Sequence, residues 1–421
     1  MIQVFKFGGA SVNSAEAIRN VAEILSAKSN GKTLIVLSAM GKTTNALELL
    51  ADSYFNRMSS TAKLFKDVQN YHLDICTELF PDKQTPVFQE LNTLFDDLAS
   101  LIAEEASDDF NFEYDRIVSY GELISTLILF HYLKTRGFSI AWADVRDMLV
   151  TDSRYRAAKV DWERSPVLIR RQCGMLFTDN DYIITQGFIA RSLEGESTTL
   201  GREGSDFSAA IFAFALDAGS LTIWKDVPGL LNADPKYFKH TQKLDKVSFK
   251  ETIELAYFGA SIIHPKTIKP LQNKNIPLYI KSFLEPDSEG SIIQANTQND
   301  QLIPSYIFKR NQVLISISPR DFSFIAERNL AAIFARLAKY GLNVNLMQNS
   351  AISFSICIDE GGADMISFIE SLQKDFKVRY NRDMELITIR HYNEQIIADL
   401  IGTRKVYLEQ KSRSTVQLLV R

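Results

Sequence analysis

The feature that most constrains this 421-residue chain is an alternation running through its first three hundred residues. Short apolar runs stop at a small or polar residue, and long segments with apolar residues at helical spacing separate them. The runs are residues 2–7, residues 34–37 before Ser38, residues 182–184 before Thr185 and residues 221–224 before Lys225. The helical segments include residues 46–56, 87–105 and 123–135. Such alternation predicts an α/β domain built on an open, mostly parallel sheet sandwiched between helices. Ligands of such sheets bind beyond the carboxyl ends of the strands. The polar and glycine residues that follow each strand are therefore where chemistry is to be sought.

The rhythm changes after residues 286–304, where Asp287, Ser288, Gly290, Asn296, Asn299 and Asp300 replace large apolar runs. This reads as the approach to a linker. Beyond it, residues 312–317 form a strand pattern, and Ala326, Leu330, Ile333, Phe334 and Leu337 recur at helical spacing. Residues 344–347 and 352–358 are strands, Met365, Ile366, Ile369 and Leu372 mark a helix, and Val378 with residues 386–389 return to strand. The order β-α-β-β-α-β is the ferredoxin-like arrangement. A shortened echo follows, with a helix at 394–400 and strands at 405–408 and 416–420. The expected domains are thus 1–300, 308–384 and 385–421.

Composition removes several classes of function. With 47 Lys and Arg against 51 Asp and Glu, the net charge is −4, so no basic face for nucleic acid is expected. The balance suits a protein that meets anions in one local basic pocket. Cys76, Cys173 and Cys357 are odd in number and far apart, which favours buried, reduced thiols over a disulfide framework or a metal site. No window reaches the apolar length of a membrane span, and the opening strand follows no cationic and apolar leader. A cytoplasmic protein is expected.

Four segments carry candidate chemistry. In Lys6-Phe7-Gly8-Gly9-Ala10-Ser11, a strand delivers a lysine and then two glycines, whose backbone N–H groups can approach a phosphate with no Cβ in the way. The plain structural reading is a tight turn. In residues 198–206, glycines, Arg202, Ser205 and Asp206 precede an apolar helix at 207–216 and make a cradle for anions; the plain reading is a loop with Asp206 as helix cap. Ser119-Tyr120-Gly121-Glu122 opens a helix, where Glu122 either holds an ammonium group or faces the helix dipole. Residues 224–236 are a strand followed by a turn-rich loop containing Lys225, Asp226, Leu231 and Lys236. Two phosphate loops are excluded. Gly41-Lys42-Thr43 lacks the glycine a P-loop needs at position 36, which is Val36, and no early GxGxxG follows a strand.

Taken together, these segments resemble the aspartate kinases of the amino-acid kinase superfamily, and the likeness spans nearly the whole chain. Residues 6–12 resemble the family's KFGGTSV. Residues 37–39 with Thr44 and Asn45, residues 119–122, 187–189 and 198–206, Asp226-Val227-Pro228-Gly229 with Asp234-Pro235, and residues 257–260 with His264-Pro265 fall in the family's order. The C-terminal region looks like the family's ACT regulatory domain. The resemblance implies transfer of the γ-phosphoryl group of ATP to the side-chain carboxylate of L-aspartate, with magnesium carried on ATP rather than by direct protein ligation. It implies that Lys6, Gly8, Gly9 and Ser38 face phosphate, that Thr44, Glu122 and Arg202 hold aspartate, and that Ser205 and Asp206 order the transfer site. Lys225, Asp226, Leu231 and Lys236 fall at nucleotide-lining positions. It further implies an amino-acid effector, lysine or threonine, at Asn345, Met347, Gln348, Asn349 and Ser350, facing a loop at 318–324, and a homodimer or higher homo-oligomer.

This chain departs from the family pattern at several positions. Ala10 stands for a threonine, Glu203 for a glycine, Leu231 for a tyrosine and Lys236 for an arginine. Ser261 stands where many relatives carry a second phosphate-binding lysine, and Lys225, in place of a threonine, is the candidate to supply that charge. Asn345 replaces an aspartate of lysine-sensitive relatives. An aspartate side chain is already ionised at neutral pH and needs no general base, so His264 is expected to be structural. Two other readings stay open: a kinase acting on glutamate or N-acetylglutamate, and a catalytically silent amino-acid sensor. From the length of the chain, no fusion to a homoserine dehydrogenase is expected.

Overall fold

The computed structural model describes all residues from 1 to 421 except 239, 261, 262, 299, 301, 302, 322 and 362. The chain divides into two compact units, one of residues 1–230, 243–253 and 262–299, the other of residues 231–242, 254–261 and 300–421.

The first unit is built on an eight-stranded sheet. Its strand order is Ile140–Ala143, Tyr182–Gln186, Thr33–Leu37, Gln3–Phe7, Ser220–Lys225, Leu278–Ser282, Ser291–Gln294 and Lys246–Ser248. All neighbours run parallel except Leu278–Ser282 with Ser291–Gln294. Val4, Leu34, Ile35, Val36, Ile183 and Ile223 are wholly buried, as expected of strands covered on both faces. Period-2 alternation puts Phe5, Phe7 and Trp224 on one face, where Phe7 and Trp224 pair in register and stack with centroids 6.0 Å apart. The same alternation sends Lys6 and Lys225 to the opposite face, at the carboxyl ends of two adjacent parallel strands. A small sheet of Val150–Thr151, Ile189–Ser192 and Ser197–Thr199 lies in the same unit.

Local sequence explains the helices around the site. Ser14 caps the helix Ala15–Lys28 by accepting from the Ala17 amide. His264 does the same for Pro265–Lys274, its Nδ1 accepting from the Lys266 amide at 3.2 Å, which is the structural role expected of it. The helix expected to open at residue 119 begins nine residues earlier, as Phe110–Thr135, because the Asp109 side chain caps it. Glu122 therefore lies in mid-helix and cannot be a first-turn partner of the helix dipole.

The second unit holds an antiparallel six-stranded sheet in the order Val344–Asn349, Phe354–Asp359, Ser305–Pro319, Phe376–Arg390, Thr415–Val420 and Val406–Lys411. With the helices Glu327–Lys339 and Ala363–Gln373 it forms the expected β-α-β-β-α-β unit. The shortened copy adds Glu394–Ile401 and two strands. Both copies share Ser305–Pro319 and Phe376–Arg390, each 15 residues long, so the two halves are one continuous sheet.

Cys76, Cys173 and Cys357 are free and fully enclosed, and burial pushes each thiol up to about 12. Among the described residues, no helix is long and apolar enough to cross a membrane.

Candidate active site

Beyond the carboxyl ends of the central strands, the first unit opens into a cavity of about 530 Å³. Lys6, Ser38, Thr44, Glu122, Arg202, Ser205, Asp206 and Lys225 line it, together with Glu48, Tyr114, Arg156, Phe188, Thr199, Gly201, Glu203 and Gly204.

Asp206 organises its cationic floor. The helix Gly204–Ala215 carries Asp206 in its first turn, yet the carboxylate does not cap the helix. One oxygen lies 2.7 Å from Lys6 Nζ and the other 3.4 Å from Lys225 Nζ. Burial opposes ionising Asp206, but the two ammonium groups outweigh it and hold the carboxyl below its ordinary range. The result is one fixed carboxylate between two cations, a cluster with net positive charge.

Glycine is dictated just past Lys6. A Cβ at Gly9 would sit 2.7 Å from the Gly41 carbonyl oxygen and 2.8 Å from that of Ala39. The Gly41 amide in turn donates to the Gly9 carbonyl at 3.0 Å. Residues 8–12 are thus sealed against the loop after Thr33–Leu37, which delivers Ser38.

Glu122 is the cavity's unsatisfied acid. It is 2% exposed; its Oε1 accepts from the Ala39 amide at 3.3 Å, and its Oε2 has no hydrogen-bond partner among the described residues. Burial pushes it up to about 8, against the pull of the Ala39 amide and the Lys6 charge. A buried carboxyl with one idle oxygen suits a ligand's ammonium group. Thr44 follows Thr43, whose hydroxyl lies 3.2 Å from Nε2 of the buried His72. Nδ1 of His72 faces the Val68 carbonyl at 2.7 Å and so carries the proton, leaving Nε2 to accept. Burial lowers His72 to about 4, so it stays neutral.

Three of the lining residues hold positive φ without being glycine: Arg156 at 65°, Phe188 at 65° and Glu203 at 52°. Backbone strain of this kind costs about 1–3 kcal/mol per residue and gathers at functional sites. Glycine would hold each of these three positions with less strain. The Glu203 carboxylate accepts from the His264 amide at 3.2 Å and fixes the start of the next helix.

Other candidates from the sequence lie elsewhere. Gly8 precedes the short turn 9–12, and a Cβ there would meet Lys6 Nζ at 3.4 Å. Asp226 is exposed just beyond Lys225. Leu231 and Lys236 belong to the second unit, where Lys236 is exposed and its amide closes a turn on Asp234. Ser261 and residue 322 of the 318–324 loop lie outside the described residues. Glu48, Tyr114 and Arg156 were not singled out in the sequence, because no glycine or strand end flags them; the basic pair Arg154 and Arg156 in a turn-rich stretch was the only signal.

In the second unit, Asn345 to Asn349 lie on the edge strand Val344–Asn349, with Met347 52% exposed and Gln348, Asn349 and Ser350 also exposed. Asn345 is fully engaged. Its oxygen accepts from Lys309 Nζ at 2.8 Å, and its amide donates to Gln312 at 2.8 Å and Asp359 at 3.0 Å.

Comparison with known proteins agrees with this architecture. The family model of the amino acid kinase family matches residues 1–282. Lysine-sensitive aspartokinase 3 of Escherichia coli (strain K12) is 32% identical over 364 residues, covering 86% of this chain and 79% of the relative. The crystal structure of E. coli aspartokinase III in complex with aspartate and ADP, in its R-state, superposes with a TM-score of 0.83 at 28% identity, over 100% of this chain and 96% of that one. The same enzyme with lysine and aspartate, in its T-state, gives 0.82 at the same identity and coverage. The chain belongs to the amino acid kinase family, among its aspartokinases.

Proposed function

We infer that this chain transfers the γ-phosphoryl group of ATP to the side-chain carboxylate of L-aspartate, giving 4-phospho-L-aspartate. The observation that carries the reading is the pairing of an Asp206-centred lysine cluster with the idle oxygen of Glu122 in one cavity. The cluster suits a polyphosphate, and Glu122 suits an amino group. Phosphoryl transfer rests on positioning and charge stabilisation rather than on covalent help. Lys6 and Lys225 sit at the ends of adjacent strands, where they can neutralise charge spread over the transferring oxygens. Asp206 holds both ammonium groups in place through its two carboxylate oxygens. Arg202 supplies a planar guanidinium for the α-carboxylate. Lys225 provides the second cation that position 261 does not.

The donor set fits phosphate, since Asp206 is already engaged by two lysines and is not free to ligate a metal. Magnesium then arrives on ATP, where it shields the phosphate charge. Gly8, Gly9 and Asp226 complete the contacts proposed for the nucleotide within the first unit.

The proposal extends to regulation. Residues 1–300 form the catalytic domain, 308–384 a first ACT domain and 385–421 a shortened second one. The enzyme is cytoplasmic, assembles as a homodimer or higher homo-oligomer, and opens lysine, threonine and methionine synthesis. An end-product amino acid acts at Asn345, Met347, Gln348, Asn349 and Ser350. The relative named lysine-sensitive supports lysine, while the neutral and fully engaged Asn345 favours threonine or a differently placed ligand.

The test is turnover in hydroxylamine, which traps acyl phosphates as coloured hydroxamates. Purified protein receives ATP, magnesium and L-aspartate, with glutamate and N-acetylglutamate in parallel and Lys6→Ala as control. Hydroxamate from aspartate alone, lost in the control, is the expected result. Product from glutamate or N-acetylglutamate instead reassigns the substrate, and no product from a folded protein supports a silent sensor.

A further inference from the structure

The cavity holds a second arginine that the substrate assignment leaves unused. Arg156 lies on a turn after the helix Phe110–Thr135 and its following strands, and its place is built rather than accidental. The buried Asp115 accepts from the Arg156 amide at 3.0 Å with one oxygen. The same oxygen takes the Thr199 amide at 2.8 Å, and the other takes the Thr199 hydroxyl at 2.7 Å. One carboxylate thereby ties the Arg156 turn to the strand that leads into Arg202. The two loops touch: a Cβ at Gly201 would lie 2.8 Å from the Arg156 carbonyl oxygen. Arg156 and Arg202 thus stand on adjoining backbone segments lining the same cavity.

The Arg156 side chain is also held in position. Its guanidinium carbon lies 4.3 Å from the centroid of the Tyr114 ring, and the Tyr114 hydroxyl donates to Glu48 at 2.5 Å. Among the described residues neither Arg156 nor Arg202 forms an ion pair, whereas Lys6 and Lys225 are both paired to Asp206. The lysine cluster is where phosphate charge is met. The two uncommitted guanidiniums are left for the other negative end of a dicarboxylic amino acid.

Resting on the functional reading above, we propose that Arg156 is a second guanidinium for the α-carboxylate of aspartate, acting beside Arg202 to make a free α-carboxylate a condition of binding. Stacking on Tyr114 leaves the N–H edge of the guanidinium available for charge-assisted hydrogen bonds.

The backbone supplies a clean test. At φ 65° glycine is the residue of least strain, so in Arg156→Gly the relieved backbone offsets the lost stacking on Tyr114. L-aspartate binding by calorimetry and turnover in hydroxylamine are compared for wild type, Arg156→Gly, Arg156→Lys and Arg202→Ala. Arg156→Gly is expected to weaken aspartate binding and raise its KM about tenfold, with KM for ATP moving far less and thermal stability equal or higher. Arg156→Lys is expected to recover part of the loss. Wild type should reject the α-amide of aspartate, and Arg156→Gly should narrow that preference. A wild type that binds aspartate while Arg156→Gly matches it in affinity and in α-amide preference overturns this assignment alone. A wild type that neither binds nor phosphorylates aspartate overturns the functional reading and the assignment together.

Discussion

The cavity of the first unit and the polar seam of the second satisfy their charges in opposite ways. Around Asn345, each group answers another: Lys309 to Asn345, Asn345 to Gln312 and Asp359, and Gln312 to Asp359 at 2.7 Å. Around Glu122 the account stays open, with an idle buried oxygen and two guanidiniums outside any ion pair among the described residues. A closed polar network fixes a fold, whereas an open one spends stability to hold a place for something else. The difference separates a region built to persist from one built to receive.

Four perturbations set these regions against each other. The largest effect is expected from Lys6→Ala, which removes the nearer cation from Asp206 and the floor of the cavity. Turnover should fall about 10²–10³-fold, the scale for losing one preorganised charge-stabilising group. A fall of less than tenfold in the hydroxamate assay would move the phosphoryl centre away from Asp206. Lys225→Ala comes next, at about tenfold in turnover or in KM for ATP, because Lys225 lies farther from Asp206 and is more exposed. Wild-type turnover and ATP affinity in that variant would show that Lys225 does not supply a second phosphate-binding charge.

The smallest effects are on stability, and their signs should differ. Asn345→Ala breaks a closed network and should cost about 1 kcal/mol. Glu122→Gln works in the other direction. The unfolded chain ionises Glu122 near the ordinary 4.5, while burial in the folded protein holds its proton up to about 8. Between those values the native state binds more protons than the unfolded one, so this group lowers stability as pH rises from about 4.5 to about 8. Glu122→Gln should remove that part of the slope, giving a Tm advantage over wild type at pH 8 that is absent at pH 5. Parallel Tm profiles for the two proteins would mean that Glu122 is satisfied by something other than a ligand.

Much of the site was legible before the structure because it sits where sheet chemistry must sit. Lys6 and Lys225 lie at the carboxyl ends of apolar strands, Ser38 just past one and Asp206 in the first turn of a helix, and those signals are local. What escaped was set by tertiary burial of polar residues. Glu113, Asp115 and Glu122 are buried acids inside Phe110–Thr135, and they break the apolar spacing that would have revealed its first turns. With that helix start hidden, Tyr114 and the Arg156 turn had no visible context. In the second unit, residues 376–390 read as two strands with a break between them. The chain instead bends at Asn311 and Asp383, at φ 54° and 56°, close to register shifts in the pairing of two unbroken strands. Side-chain pattern marks a turn and a bulge alike, and only pairing tells them apart.

The three enclosed cysteines make each unit its own reporter. A thiolate, not a thiol, attacks an alkylating reagent, so these sulfurs are protected twice, by enclosure and by their raised pKa. Labelling therefore waits for the surrounding structure to open. Cys76 and Cys173 belong to the first unit and Cys357 to the second, so mass mapping of labelled peptides over time yields two separate opening clocks from the unaltered chain. Adding aspartate with ATP should slow the first clock through mass action on the unit that holds the cavity. An effector acting in the second unit should slow the clock at Cys357, so one labelling series distinguishes which part of the chain a given amino acid occupies.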